Sequence, residues 1–302
     1  MCSFEYYFSW RFAKNCLSLH SQTKRMEIKK VYIIVLCVAC SYTSMAQIVS
    51  SSIQYRFVYD AQLKTTESSK SLANDEHYLD VGANNISRYY SCWKEKKKAI
   101  MDSIHSLGGN HDDMMKEIQK QGVETSYFDY YVFKNYPATE RRTTIIATAE
   151  YYQYEEKMNM DWNLLEGDTL VLGYNCNKAS TEYNGRVWTA WYSRDIPITD
   201  GPWKLCGLPG LILYAYDSKK EFIFTCIGVF KDIHEPITKR EDQIVKTSAE
   251  KAHRMYELIM SDFDSYLNAK YGGNTKTIMY DKNGKVIPLT RPKVTFIEKY
   301  NY

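Results

Sequence analysis

Beyond residue 46 this sequence has no apolar run long enough to cross a bilayer, which takes about 20 residues. A helical membrane span is therefore excluded from the mature chain. An excess of one charge is missing too: 39 Lys and Arg stand against 36 Asp and Glu. The small surplus sits in residues 1–46, where Arg11, Lys14, Lys24, Arg25, Lys29 and Lys30 outnumber Glu5 and Glu27. Nucleic-acid binding needs Lys and Arg gathered on one face. The dense basic run Lys94 to Lys98 reads instead as a solvated helix face, so no nucleic-acid partner is expected.

Familiar catalytic patterns are absent as well. There is no G-x-S-x-G for a nucleophile elbow, no G-x-x-x-x-G-K-[ST] or G-x-G-x-x-G to cradle phosphate, and no H-E-x-x-H. The six histidines (His20, His77, His105, His111, His234 and His253) are scattered singly, without the Cys–His spacing of a zinc site. No cofactor and no metal is expected on these grounds. An enzyme alternative stays open: a hydrolase or thiol-redox centre assembled in space, for example Cys206 as nucleophile with His234 as base.

What is present begins with an address. Met26-Glu27-Ile28-Lys29-Lys30 forms a basic region, Val31 to Ala39 an apolar stretch too short to span, and Ser44-Met45-Ala46 the small-residue site a signal peptidase reads. The expectation is a signal peptide over 26–46, cleaved before Gln47, with residues 1–25 an upstream extension or a mis-assigned start. Lipidation at Cys40, in Cys37-Val38-Ala39-Cys40, is the less favoured alternative because a leucine three positions earlier is lacking. The mature chain then keeps Cys92, Cys176, Cys206 and Cys226, an even number in an oxidising compartment and thus disulfide candidates. Three pairings are possible, and sequence alone does not choose among them.

Period-2 alternation marks strands near 53–59, 77–81 and 86–90. Trp93, Ile100, Ile104 and Leu107 then fall at helical spacing, and a second short helix opens at Asp112-Asp113 and ends at Gly122, giving a helical insertion near 93–121. Strands return near 127–133 and 142–148. Three hairpins follow, turning at Glu166-Gly167-Asp168, Asn184-Gly185 and Asp217 to Lys220. Thr247 to Glu250 fits a capping box, and an apolar stripe from Ala252 to Leu267 predicts one helix over 248–271 packed on the sheet. A final hairpin turns at Asn283-Gly284. The expected fold is α+β: a curved, mainly antiparallel meander forming a single domain over 47–302.

The block from Gly173 to Leu213 stands apart (GYNCNKASTEYNGRVWTAWYSRDIPITDGPWKLCGLPGLIL). Alternation along Arg186 to Tyr192 puts bulky groups on both faces, as on a central strand. Arg186 and Lys204 supply positive charge beside Trp191 and Trp203, a set suited to an anion or an aromatic-stacked ligand; the plainer reading is that the rings pack and the cations snorkel. Gly201, Pro202, Gly207, Leu208, Pro209 and Gly210 form a structural motif. Pro209 cannot donate to a ladder, so the stretch reads as a tight bend delivering Leu211-Ile212-Leu213 into the sheet, with Cys206 tethered to Cys176 as one option. The rival is a bend whose exposed N–H groups form an anion nest.

These residues resemble the GLPGLI family of exported proteins from Bacteroidetes-type Gram-negative bacteria. The hexapeptide stands unaltered at Gly207 to Ile212, flanked by G-Y-x-C-x-K-A at Gly173 to Ala179, G-R at Gly185-Arg186, A-W-Y at Ala190 to Tyr192 and I-P-x-x-x-G-P at Ile196 to Pro202. Asn177-Lys178 replaces the usual lysine pair. The resemblance implies a protein of unassigned function in the periplasm or at the outer membrane, where members often neighbour genes for transport barrels. The leading expectation is a non-catalytic binding or accessory protein, with a small ligand, lipid, peptide or outer-membrane transport barrel as partner. Beside the enzyme, a purely structural or assembly factor is the remaining alternative.

Overall fold

The computed structural model describes residues 47–239, 243–274, 276, 279–280, 286–287 and 293–300. The expectations for residues 1–25, for the signal peptide at 26–46, for Cys40 and for the Asn283-Gly284 turn lie outside the described residues.

Alternating residues set up the first run of strands: β1 (Gln47–Leu63), β2 (Ala73–Gly82) and β3 (Ser87–Ser91), each antiparallel to the one before. Two helices interrupt it, α1 (Cys92–Ser106) and α2 (His111–Lys120). The Ser91 hydroxyl accepts from Lys94 N–H to start α1, and Asn110 with Asp113 makes a reciprocal capping box that starts α2. The chain resumes with β4 (Tyr130–Lys134), β5 (Arg141–Ala147) and β6 (Tyr151–Lys157). A second antiparallel run follows: β7 (Asn163–Val171), β8 (Tyr174–Tyr183), β9 (Arg186–Ser193), β10 (Leu211–Asp217) and β11 (Phe222–Lys231).

β12 (Pro236–Lys239) pairs with β1, and β13 (Ile244–Lys246) lies parallel to β6. Among the described residues, thirteen strands make one open, curved, mainly antiparallel sheet in the order β13-β6-β5-β4-β3-β2-β1-β11-β10-β9-β8-β7, with β12 off that path. The two runs meet where β1 lies beside β11. Helices α3 (Ala249–Ser261) and α4 (Phe263–Tyr271) follow, then β14 (Met279–Tyr280) paired with β15 (Val286–Ile287). The α+β class expected from the sequence is the observed one.

Two local expectations differ from the structure. The helix over 248–271 is two helices, because Asp262 leaves helical geometry (φ −145°, ψ 72°) and caps α4 by accepting from Ser265 N–H. Glu166-Gly167-Asp168 is no hairpin turn. It is an irregularity within β7, where the register against β8 shifts between Leu165 and Asp168; the chain turns instead at Leu172-Gly173, both at positive φ.

The core fills the hollow of the sheet. Tyr59, Tyr89, Val132, Ile146, Trp188, Trp203, Phe224 and Tyr256 belong to one buried cluster contributed by both runs of strands. The outer face of the first run carries its own cluster (Ile53, Tyr90, Phe133, Ile145 and Ile237), with α1 packed on β2 and β3. Among the described residues the second run has no such cover outside, and this asymmetry positions the site.

Candidate functional site

The Asn184-Gly185 turn pairs Tyr183 with Arg186 and fixes the alternation of β9. Arg186, Trp188, Ala190 and Tyr192 point into the core, while Val187, Thr189 and Trp191 point outward. The four candidate binding residues are therefore split. Arg186, Trp203 and Lys204 are buried inside; Trp191 is half-buried on the opposite face.

Inside, every cation has found an acid of this chain. Arg186 donates to Asp217 (2.7 Å) and Glu221 (2.8 Å) and to the carbonyls of Phe296 (2.6 Å) and Ile297 (2.9 Å). Lys204 Nζ donates to Tyr154 Oη and Glu156 (each 2.9 Å) and to Glu298 (2.9 Å). Arg142, whose side chain is buried, bonds Glu156, the Tyr183 hydroxyl and the Lys204 carbonyl. Trp203 sits with its ring 5.3 Å from that of Trp188. Among the described residues, Arg186, Lys204 and Arg142 are thus engaged with groups of this chain.

The bend at Gly207 to Ile212 is tied into the surrounding fold by its own hydrogen bonds. Leu211 N–H donates to Ile196 O, Ile212 N–H to Asp200 O, Gly210 N–H to Leu208 O and Gly207 N–H to Thr199 O, so these four amides are already used. A Cβ at Gly201 would lie 2.7 Å from Ile212 Cβ, and one at Gly210 would collide with the Ser193 carbonyl. The loop before β10 is also bound to the far run: Lys134 Nζ donates to Asp200 and to the Gly201 carbonyl, and Ser87 Oγ to Asp200. A bend reaching from β9 to β4 requires the sheet to curve, which is why glycine and proline crowd here.

The disulfide expectation is corrected. Cys92, Cys176, Cys206 and Cys226 are all free and buried. Burial pushes every one of these thiols up, Cys226 to about 12. Cys206 has Lys134, Asp200 and Arg142 as its charged neighbours, and its carbonyl accepts from Trp162 Nε1 at 2.8 Å. It is tethered to nothing.

The outward face of β9, β10 and β11 is different. Trp191 stands opposite Tyr214 on β10, and Tyr216 follows two residues on, the two tyrosine rings 5.3 Å apart. With Leu170 and Leu172 of the β7–β8 hairpin and Ile227 of β11 they line an open groove of about 790 Å³. Those three aliphatic side chains are 67%, 45% and 51% exposed, a contiguous apolar surface rather than scattered residues. Lys220, which lines the groove, has its Nζ 5.7 Å from the Tyr216 ring, and Lys178 Nζ lies 5.5 Å from the Trp191 ring. Gly167, in the irregular part of β7, passes against the edge of Trp191. Sequence reasoning found Trp191 but missed Tyr214 and Tyr216, although Tyr-x-Tyr after the bend puts both rings on one face.

A family model described as "Protein of unknown function (Porph_ging)" matches residues 83–214, which include the bend and the Asn184-Gly185 hairpin. That match fits the kind of family expected, one without assigned activity. Among curated proteins nothing matches. Two solved structures resemble the chain: "Structure of PNGF-II in P21 space group" (TM-score 0.47, 13% identity, 77% of this chain and 39% of that one) and "Structure of PNGF-II in C2 space group" (0.43, 14%, 68% and 32%). This chain thus spans less than two fifths of their length, and likeness at this level supports no statement about activity.

Proposed function

We propose that this chain is a non-catalytic, GLPGLI-type binding protein of the Gram-negative envelope, exported by its signal peptide and folded as one domain over 47–302. Its ligand face is the groove of Trp191, Tyr214 and Tyr216. One observation carries the reading: three adjacent rings and three exposed aliphatic side chains share a sheet face that no described element covers, while the opposite face is sealed. Small-molecule sites share this composition, apolar walls with a few charged groups that orient the ligand. The occupant we favour is an elongated apolar or aromatic molecule with an acidic group, held near Lys220. The thiol-enzyme alternative loses support because Cys206 is buried and its thiolate disfavoured. Among the described residues no three of His, Cys, Asp and Glu gather to hold a metal ion.

The test is native mass spectrometry of the protein taken from its own host's envelope, beside Trp191→Ala and Tyr216→Ala. The reading expects a mature chain starting at Gln47 that carries a small-molecule adduct, lost in both variants without a change in unfolding temperature. A transport barrel that co-purifies through the same two residues would make the face a docking site. A chain with neither adduct nor partner would overturn the proposal.

A further inference from the structure

Residues 293–300 lie along the molecule as a strap rather than as a member of the sheet. Val294 makes an isolated bridge to Thr66, Thr295 N–H donates to Thr65 O, and Lys299 N–H to Asn184 O. Between these ties the strap is held mainly by side chains. Arg186 reads the carbonyls of Phe296 and Ile297, and the fully buried Glu298 carboxylate meets donors from four separate places. These are Asn184 Nδ2 in the β8–β9 turn (2.7 Å), Lys204 in the loop before β10 (2.9 Å), His253 of α3 (3.2 Å) and Tyr154 of β6 (3.4 Å). The strap's own Tyr300 adds a hydroxyl at 2.8 Å. On its other side a cleft of about 730 Å³, bordered by Lys64, Glu257, Ser261 and Lys299, leaves the strap open to solvent.

We infer that this channel is a peptide receptor, and that the strap is its built-in occupant: an extended segment presenting an aromatic, an aliphatic and an acidic residue in succession. Extended peptides are recognised through hydrogen bonds to their main chain and pockets for some of their side chains, and Arg186 on the Phe296 and Ile297 carbonyls supplies bonds of the first kind. Closing a core would not require a carboxylate, since well-packed apolar residues usually replace a buried ion pair without loss. A preassembled set of donors for one carboxylate does require it. The partner is therefore a protein carrying a like segment, Phe-Ile-Glu or its close equivalent, which displaces the strap. This site is separate from the aromatic groove, and neither reading depends on the other.

The experiment uses the full chain and a fluorescent peptide of sequence KVTFIEKYNY. Glu298→Ala weakens the internal occupant, so that variant is expected to bind the peptide at least tenfold more tightly than the wild type. Replacing the peptide's glutamate by glutamine should cost tenfold or more. A folded variant, checked by circular dichroism, that binds no better than wild type, or that binds both peptides equally, overturns the inference. Hydrogen exchange on the wild type gives a second arm that needs no variant. The amides of Thr295 and Lys299 should exchange at least tenfold faster than the β1–β2 ladder; exchange at the ladder's own rate would mean the strap opens only when the whole fold does.

Discussion

Glu298 shows how a single residue is placed against its own solvation. Burial pushes its carboxyl up, but Lys204 and His253 outweigh that and hold it well below the usual carboxylate range. A depressed folded-state value fixes the sign of the pH effect. The group's contribution to stability is complete above the unfolded carboxyl value, about 4.3, and is lost as pH falls through the folded value. Denaturant midpoints measured from pH 6 down to pH 3 should therefore drop on the acid side, and Glu298→Gln should flatten that limb in part, since Asp75 and Glu221 are depressed as well. An unchanged acid limb would show that Glu298 is not ionised in the fold. The thiols make the opposite case: burial outweighs the neighbouring groups that would lower them and leaves them neutral. Native protein prepared without reductant is expected to resist iodoacetamide at Cys92, Cys176, Cys206 and Cys226, and to take up label at all four once denatured. Denatured protein that stays unlabelled at any pair would restore a disulfide.

Elements divide by how local their causes are. The Asn184-Gly185 hairpin, the two helices after β3 and the bend at Gly207 to Gly210 were legible because turn chemistry, caps and proline act within a few residues. Glu166-Gly167-Asp168 has turn composition as well, yet pairing with β8 on both sides of it keeps β7 continuous, and the true turn at Leu172-Gly173 carries a weaker signal. Asp262 sat inside an unbroken apolar stripe, so only its side-chain cap on Ser265 reveals the break between α3 and α4. The buried groups around Lys204 could not be read at all, because Tyr154, Asn184, His253 and Glu298 come together through the fold from distant parts of the chain. The bend invites a direct test. Gly210 combines φ of 152° with a backbone carbonyl where a Cβ would go. Gly210→Ala should cost at least ~1–3 kcal/mol in strain, read as a lower urea midpoint at unchanged slope. A neutral substitution would mean the loop can retreat from Ser193.

At the scale of the whole molecule, the question is whether two runs of strands behave as one. β1 is the only described strand shared by both, paired to β2 on one side and β11 on the other through most of its length. Alone it would be a hinge. Further connections cross the hollow, among them Lys134 to Asp200, Arg142 to the Lys204 carbonyl, and Tyr59 Oη to the Ile212 carbonyl at 2.7 Å. The apolar cluster is continuous from Val132 and Ile146 in the first run to Trp188 and Phe224 in the second, so separating the runs would expose both faces of a single core. Chains of this length often unfold in stages; a shared core opposes that. Tryptophan emission, which includes the buried Trp188 and Trp203 of the second run, should therefore lose its native signal at the same denaturant concentration as far-UV circular dichroism. The tethers should act on both signals together: Arg142→Met should move the two midpoints down by the same amount. If the fluorescence transition alone shifted, the second run would be melting on its own, and the bend between β9 and β10 would be a local clasp rather than the closure of the sheet.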